Sequence, residues 1–237
     1  MYTCDVCGKE YDTLQKISVH AAAHRHDHVK LTDLQRQVIL GSLLGDMSIG
    51  IPRDRMNPYI QVAHSINQVG YIMWKYDILK NLTKSSPKTY EQKCMLRSAS
   101  YDQFFSAIRF NSMLLPCLHP IHKLVRGDGE KHVSESWLNE ITDPIGVAVW
   151  YMDDGCLISK SNAVFALGSS SSEQCSVIQD WMLNKWDITT HVYIQPNTEY
   201  KILSISAKSN LCKFRDLVEP HVISSMRYKI DKLDYLS

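Results

Sequence analysis

The sequence of 237 residues lacks any run of about 18 consecutive apolar residues, so we expect no membrane span. Its first residues, MYTCDVCGKEYD, lack the apolar core of a secretory signal. We therefore expect an intracellular protein, and association with a nucleoid or an organelle is left open. The sequence also lacks an excess of charge of either sign, because 26 Lys and Arg and 25 Asp and Glu give a formal net charge of +1. This near-neutrality counts mildly against a nucleic-acid partner, although a locally basic face would still permit one.

Cysteine is present but lacks the pattern of a disulfide framework. The seven cysteines are an odd number, and five of them are scattered in the manner of small buried hydrophobes: Cys94, Cys117, Cys156, Cys175 and Cys212. A reducing compartment fits this distribution better than an oxidising one. Only Cys4 and Cys7 form a recognisable pattern.

That pattern predicts a zinc site at the N-terminus. The spacing is Cys-x2-Cys-x12-His-x3-His, with Cys4, Cys7, His20 and His24 as the four ligands. Two thiolates on a tight turn and two imidazoles one helical turn apart suit tetrahedral Zn²⁺. A module this short cannot fold on apolar burial alone, so one structural Zn²⁺ would supply folding free energy.

The segment resembles a two-Cys two-His zinc finger, which implies a small ββα domain over residues 1–28. Tyr2, Tyr11 and Ile17 stand where such a finger needs its core. His26 and His28 remain alternatives for the fourth ligand, although the spacing favours His24. A single finger binds weakly, so we expect it to assist a larger module by docking on DNA or on another protein.

Two helices that end in acids follow the finger. In KLTDLQRQVILGSLLGDM, Thr32 and Gln35 form a capping box, and the helix ends near Asp46. Gly41 and Gly45 lie on one helical face, which indicates the close approach of another backbone. In TDPIGVAVWYMDDGCL, Thr142 is the expected N-cap, Pro144 fits the first turn, and Asp153 and Asp154 end the helix. The helix dipole disfavours an anion at these ends, so bound cations explain the acids better. Paired carboxylates suit Mg²⁺ or Mn²⁺ and phosphodiester hydrolysis.

ILGSLLGDM and VAVWYMDDG resemble the two copies of the LAGLIDADG motif of homing endonucleases, and their presence in one chain resembles the single-chain subfamily. FRDLVEPHVISSMRYKI is also characteristic of that subfamily, and the resemblance covers roughly residues 31–232. It implies two motif helices packed at a pseudo-twofold axis. It also implies that Asp46 and Asp154 bind divalent metal, with Asp153 as a second candidate. Val149 and Asp153 stand where the first copy has glycines, so we expect close packing to rely on Ala148 or on the first helix alone.

The remaining segments predict an α+β fold in which each half runs α-β-β-α-β-β-α. The halves would span residues 29–140 and 141–237. YIQVAHSI and NAVFALGS alternate as strands, and QVGYIMWKYDILKNL and SSEQCSVIQDWMLNKW have helical spacing. KTYEQKCMLRSAS and THVYIQPNTEYKILSISA are expected to be hairpins. YDQFFSAIRFNSMLL and NLCKFRDLVEPH are expected to be the closing helices.

The resemblance further implies that the antiparallel sheets form a saddle along the major groove of double-stranded DNA. The candidate DNA contacts are Arg53, Arg55, Gln61, Arg97, Lys160, Gln195 and Lys201. It also implies a lysine near each scissile phosphate, for which Lys131 and Lys201 match best.

The expected function is that of a monomeric, metal-dependent, site-specific DNA endonuclease. Two alternatives on the same scaffold remain open: a maturase that binds intron RNA, and a DNA-binding regulator that has lost cleavage activity.

Overall fold

The computed structural model describes residues 1–93, 104–127, 129–231 and 233. The predicted DNA contact Arg97 lies outside these residues. The chain divides into two compact units. The first unit contains Met1–Gln35 and Ser48–Lys123, and the second contains Arg36–Met47 and Leu124–Ser237. Within the described residues, no helix combines the length and apolar character that crossing a bilayer requires.

The chain begins with a β-hairpin and a helix, in the order predicted for a ββα module. Strands β1 (Tyr2–Thr3) and β2 (Glu10–Tyr11) pair antiparallel and precede helix α1 (Leu14–Ala23). Thr13 caps α1 because its side chain accepts a hydrogen bond from the Lys16 amide. The helix packs with β1 and β2, which brings the cysteine turn and the histidine-bearing helix together.

Helix α2 (Asp33–Leu44) starts at the predicted capping box. The Gln35 amide donates to Thr32 Oγ1 at 3.2 Å, and the Thr32 amide donates to Gln35 Oε1 at 3.1 Å. The helix ends two residues before Asp46 and leads directly into the first large sheet.

That sheet has four antiparallel strands, β3 (Met47–Gly50), β4 (Tyr59–Ser65), β5 (Lys88–Lys93) and β6 (Phe104–Asn111), in the order β3-β4-β6-β5. Helix α3 (Val69–Leu79) joins β4 to β5, and helix α4 (His119–Arg126) follows the sheet. Lys75 of α3 is fully buried, with Nζ 3.2 Å from His64 Nε2 and 4.4 Å from the centre of the Tyr71 ring.

One prediction in this region is wrong. YDQFFSAIRFNSMLL was expected to be the closing helix, but its described part contains strand β6, and α4 closes this half instead. Ile108 and Phe110 are buried while Arg109 between them is exposed. Pairing of β6 with both β4 and β5 therefore selects the two-residue period over the helical one.

The second unit repeats the order after a short helix, α5 (Glu135–Glu140), that the sequence did not predict. Helix α6 (Pro144–Asp154) leads into β7 (Gly155–Ser159) and β8 (Asn162–Gly168), followed by α7 (Ser172–Trp186), β9 (His191–Ile194), β10 (Lys201–Ile205) and α8 (Lys208–Val218). The sheet order β7-β8-β10-β9 matches that of the first sheet. The predicted α+β class and the duplicated α-β-β-α-β-β-α order are confirmed, whereas the proposed boundaries at residues 28 and 140 stay predictions.

Aromatic residues form the core of this second unit. The Phe165 ring of β8 lies 4.2 Å from that of Trp150 and 5.7 Å from that of Phe214, measured between ring centres. Trp150, Tyr151, Phe165 and Phe214 are all essentially inaccessible to solvent. Helices α6 and α8 therefore cover one face of the sheet, and α6 is held with its acidic end at the start of β7.

Candidate active site and metal centres

The acid-bearing ends of α2 and α6 come together because the two helix backbones touch. A Cβ atom placed on Gly41 would lie 2.1 Å from the carbonyl oxygen of Gly146, which no side chain could occupy without moving a backbone. The prediction that Gly41 meets another backbone is confirmed. A Cβ on Gly146 would lie 3.5 Å from the Gln37 carbonyl of α2, an ordinary contact, so the missing side chain of Gly41 is what the helix contact requires. The expectation that close packing relies on Ala148 or on the first helix alone stays a prediction.

The start of α6 is fixed by side chains of both helices. Asp143, rather than the predicted Thr142, is the N-cap, because its Oδ1 accepts from the Ile145 amide at 2.9 Å. The Thr142 amide instead donates to Gln37 Oε1 of α2 at 2.9 Å, and Gln37 Nε2 donates to the Glu140 carbonyl at 2.9 Å. The buried Gln37 amide therefore ties α2 to the turn before α6.

Asp153 joins the other ends of the two helices. Its Cβ fills the space that a side chain at Gly45 would need. Its Oδ2 accepts from Ser42 Oγ at 3.0 Å and from the Asp46 amide at 3.4 Å, and the residue is 9 % exposed. The Asp153 carboxylate thus satisfies a backbone donor just beyond the end of α2.

Asp154 and Asp46 occupy a different environment, with Asp154 half-buried and Asp46 exposed. Burial, together with the negative charges of Asp46 and Asp153, raises the pKa of Asp154 to about 7. The charges of Lys131 and Lys229 act in the opposite direction. Asp46 and Asp154, which were expected to form a pair, therefore interact electrostatically. Lys131 and Lys229 belong to the same group of charges.

Lys131 lies in this group, and its predicted place near a scissile phosphate stays a prediction. Its Nζ is 3.5 Å from the carbonyl oxygen of Leu44, the last residue of α2. Burial lowers its pKa, while the charges of Asp154, Asp46 and Asp153 raise it. It lines a cavity of about 690 Å³ together with Asp154, Ser169, Ser170 and Gln174.

The second lysine of the group is Lys229, and the sequence reasoning missed it. Its buried Nζ donates to the Met152 carbonyl at 2.6 Å and to the Asp153 carbonyl at 3.1 Å, at the C-terminal end of α6. Burial lowers its pKa. The predicted Lys201 instead donates to the Ser170 carbonyl at 2.5 Å. Lys229 ends the characteristic segment FRDLVEPHVISSMRYKI, but no local pattern distinguishes it from an exposed lysine.

Most of the chain matches the model of one protein family. The model of the LAGLIDADG DNA endonuclease family matches residues 36–211, which is most of the chain. The chain belongs to this family.

Curated relatives of this LAGLIDADG family member carry different names. "Protein RecA" of Mycolicibacterium flavescens is 28% identical over 214 residues, covering 85% of this chain and 47% of the relative. "DNA endonuclease I-ChuI" of Chlamydomonas applanata is 24% identical, covering 85% of this chain and 96% of the relative. "Cytochrome b mRNA maturase bI2" of Saccharomyces cerevisiae is 22% identical, covering 81% of this chain and 46% of the relative. The chain spans about half the length of the first curated relatives it matches.

Among solved structures, the homing endonuclease I-WcaI bound to its DNA recognition sequence is similar to this LAGLIDADG chain with a TM-score of 0.76. The likeness covers 95% of this chain and 96% of that one at 17% identity. At this identity the likeness establishes a shared fold.

Apart from Arg97, which lies outside the described residues, the predicted DNA contacts lie in strands and turns of the two sheets. Arg53 and Arg55 are exposed before β4, Gln61 is half-buried in β4, Lys160 is exposed between β7 and β8, and Gln195 is exposed after β9. Arg109 is a further exposed cation of the first sheet. It lies on β6 opposite Ala63 and Lys88, with its guanidinium 4.7 Å from the centre of the Tyr90 ring. The wrong assignment of β6 as a helix hid this position.

The N-terminal module of this LAGLIDADG protein gathers four metal-ligating atoms. One ligand atom each of Cys4, Cys7, His20 and His24 lies within 4.8 Å of the other three, and this group contains neither His26 nor His28. His20 Nε2 is 3.0 Å from Cys7 Sγ and 3.3 Å from His24 Nε2. Tetrahedral zinc, with bonds of about 2.0–2.3 Å, needs separations of roughly 3.3–3.8 Å. His24 Nδ1 lies 2.7 Å from Asp27 Oδ2, which leaves Nε2 for a metal.

Proposed function

We propose that this protein is a site-specific double-strand DNA endonuclease of the homing type, which hydrolyses phosphodiester bonds with a divalent metal. The observation that carries the proposal is the helix pair whose touching backbones bring Asp46 and Asp154 into one electrostatic group. Three carboxylates crowded at two helix C-termini are unfavourable by themselves, because like charges and both helix dipoles oppose them. A cation at this place compensates for that cost.

The donor set suits Mg²⁺ or Mn²⁺. Asp46 and Asp154 supply hard carboxylate oxygens, and their partial exposure leaves room for water and substrate oxygens. When bound, the metal neutralises charge on the scissile phosphate and lowers the pKa of water. Asp153 is the less suitable ligand, because Ser42 and the Asp46 amide already hold one of its carboxylate oxygens.

The two lysines of the group are proposed to act on the phosphate and on the acids. Lys131 is exposed and lines the same cavity as Asp154, where its ammonium group would stabilise negative charge developing on a phosphate oxygen. Lys229 holds the C-terminal carbonyls of α6 and favours ionised Asp154. Because carbonyls of α6 already accept from its ammonium group, we propose Lys229 as a positioning residue for Asp154 rather than as a phosphate contact.

The N-terminal module is proposed to be a zinc finger with Cys4, Cys7, His20 and His24 as ligands. The supporting observations are the ligand separations and the Asp27 carboxylate behind His24. The metal would supply most of the folding free energy of this module. Double-stranded DNA is the proposed partner, and because one chain carries both motif helices we propose that the protein acts as a monomer.

Cleavage of a randomised duplex library tests the proposed function. The full chain with Mg²⁺ or Mn²⁺ is expected to cut a long asymmetric site in both strands, and EDTA is expected to stop cutting. Binding of DNA without any metal-dependent cleavage would contradict the proposal and would favour a DNA-binding regulator.

A maturase is the second candidate, because one relative carries that name. A competition experiment between intron RNA and the selected duplex separates the two functions. Preferential binding of the RNA, without cleavage of the duplex, would favour the maturase.

A further inference from the structure

The two four-stranded sheets differ in the chemistry of the faces that their helices leave open. In the first sheet, Gln61 pairs with Asn111, and Ala63 pairs with Arg109. Lys88 of β5 lies opposite Arg109 on its other side. This row of amide and cationic side chains offers hydrogen bonds to base edges.

The second sheet has an apolar open face. Phe165, Leu203 and Ile205 are fully buried on the helix side. Because successive residues of a strand point to opposite faces, their neighbours lie on the open side. In the register of the sheet, Ile202 pairs with both Ala166 and Tyr193. Val164 pairs with Cys156 but is only 4% exposed, so it does not contribute accessible surface. Ala166 and Cys156 are exposed, Tyr193 is 38% exposed, and Ile158 further along β7 is 59% exposed.

Charge is scarce on these strands. The four strands of the second sheet contain a single Lys, Arg, Asp or Glu, which is Lys201. Its ammonium group donates to the Ser170 carbonyl. Polar side chains occur at the strand ends instead, with Lys160 between β7 and β8 and Gln195 after β9.

This face begins next to the group of acids formed by Asp46, Asp153 and Asp154. Strand β7 begins at Gly155, the residue after Asp154, and the exposed Cys156 follows. If a scissile phosphate lies at Asp154, as the proposed function requires, the adjoining base pairs face β7, β8, β10 and β9. The inference below therefore rests on that function.

The major groove displays one apolar group, the C5-methyl of thymine. We propose that the open face of the second sheet, formed by Cys156, Ile158, Ala166, Tyr193 and Ile202, recognises thymine methyl groups. The DNA half-site bound by this sheet is consequently rich in A·T pairs, whereas the first sheet reads its half-site by hydrogen bonds. Ile202 and Tyr193 are the specificity-determining residues of the second half-site.

Selection for binding from a randomised duplex library, followed by replacement of each selected thymine with deoxyuridine, tests this inference. Deoxyuridine keeps base pairing and removes only the methyl group. In the half-site bound by the second sheet, each replacement of thymine by deoxyuridine is expected to weaken binding about fourfold. This is the equivalent of about 0.8 kcal/mol for a buried methyl group. In the other half-site, the effect is expected to stay below about 1.5-fold.

Variants assign the effect to the sheet. Ile202→Ala is expected to reduce the thymine–deoxyuridine difference to below about twofold, and Gln61→Ala in the first sheet is the matched control that leaves it unchanged. Tyr193→Ser on the edge strand β9 provides a second variant should Ile202→Ala fold poorly.

Slower alkylation of the exposed Cys156 thiol in the presence of the selected duplex is an independent readout that needs no cleavage. A selected site with no deoxyuridine effect in either half would overturn this inference while leaving the proposed function intact. Dimerisation through this face, measured by sedimentation and abolished by Ile202→Asp, would also overturn it. Failure to select any sequence would instead count against the proposed function.

Discussion

At the scale of single residues, two adjacent aspartates at the end of α6 have different environments. Asp153 points toward α2 and is held by Ser42 and by the Asp46 amide. Asp154 is half-buried among two other carboxylates, and its pKa is raised to about 7. The sequence predicted that both acids lie near a metal site. It could not predict that Asp153 packs against α2 while Asp154 does not, because this difference depends on which face of α6 meets Gly45.

The raised pKa of Asp154 predicts how stability depends on pH without divalent metal. Between pH 4 and 7 the folded state keeps a proton that the unfolded state has lost, so the free energy of unfolding falls as pH rises through this window. We expect a loss of about 1–3 kcal/mol attributable to Asp154, after allowance for its partial exposure. Denaturant titrations in EDTA at pH 5 and pH 8 measure it.

The matched variant for this measurement is Asp154→Asn, which cannot ionise. It is expected to lose less stability than the wild type between pH 5 and pH 8. Equal losses in both proteins would show that the pKa of Asp154 is not raised.

Lys229 and Lys201 give a second prediction at this scale. Because the charge of Lys229 lowers the pKa of Asp154, Lys229→Met is expected to move the Asp154 titration to higher pH. The variant also removes donors from two carbonyls of α6, which costs about 1–3 kcal/mol. Carboxyl titration followed by NMR measures the shift. Lys201→Met is the control and is expected to leave the titration in place, and a larger effect of Lys201→Met would restore the sequence-based assignment.

At the scale of elements, the packing of α2 on α6 determines where the acids lie. The glycines of α2 and the apolar stripe of α6 predicted a buried helix pair, and the capping box predicted the start of α2 correctly. The partner of Gly41 was not predictable, because Gly146 lies one turn earlier than the position that the motif repeat suggests. Strand β6 was missed because its apolar residues fit both a helical and a two-residue period, and only pairing with β4 and β5 decides between them.

Gly41→Ala tests the helix contact, because the close contact and an uncrowded helix predict changes of opposite sign in the free energy of unfolding. Alanine in an uncrowded helix would stabilise by about 1 kcal/mol. Here the added Cβ meets the Gly146 carbonyl, so we expect a net loss of about 2 kcal/mol and a fall in Tm of roughly 4–8 °C. Gly50→Ala, where the added Cβ meets no atom within 4 Å, is the control and should change the free energy of unfolding by less than about 0.5 kcal/mol. A stabilised Gly41→Ala protein would contradict the close helix contact.

At the scale of the whole molecule, the N-terminal module that we propose to be a zinc finger belongs to the first compact unit. Asn57, in the loop before β4, is buried, and its Nδ2 donates to the Ala23 carbonyl at the end of α1 at 2.8 Å. Its Oδ1 lies 3.1 Å from His119 Nε2 at the start of α4. The spacing of cysteines and histidines predicted that Cys4, Cys7, His20 and His24 lie together, as they do. Nothing in the local sequence around Asn57 predicted its hydrogen bonds to α1 and α4.

Asn57→Ala is expected to loosen the finger on the first unit, because it leaves the Ala23 carbonyl without its donor, at a cost of about 1–3 kcal/mol. Hydrogen exchange should quicken in α1 and in the loop before β4, and a zinc chelator should remove metal faster than from the wild type. Asn67→Ala, at an exposed asparagine, is the control. Unchanged exchange in α1 would show that this contact does not hold the finger.

The central claim is that Asp46 and Asp154 together hold the metal that cleaves DNA. The most direct measurement compares the wild type with Asp46→Asn and Asp154→Asn for Mg²⁺-dependent cleavage of the selected duplex, with the Kd for the same duplex measured alongside. Each variant is predicted to cut at least about 10³-fold more slowly while its Kd stays within about threefold of the wild type. Cleavage at the wild-type rate by either variant would contradict the account.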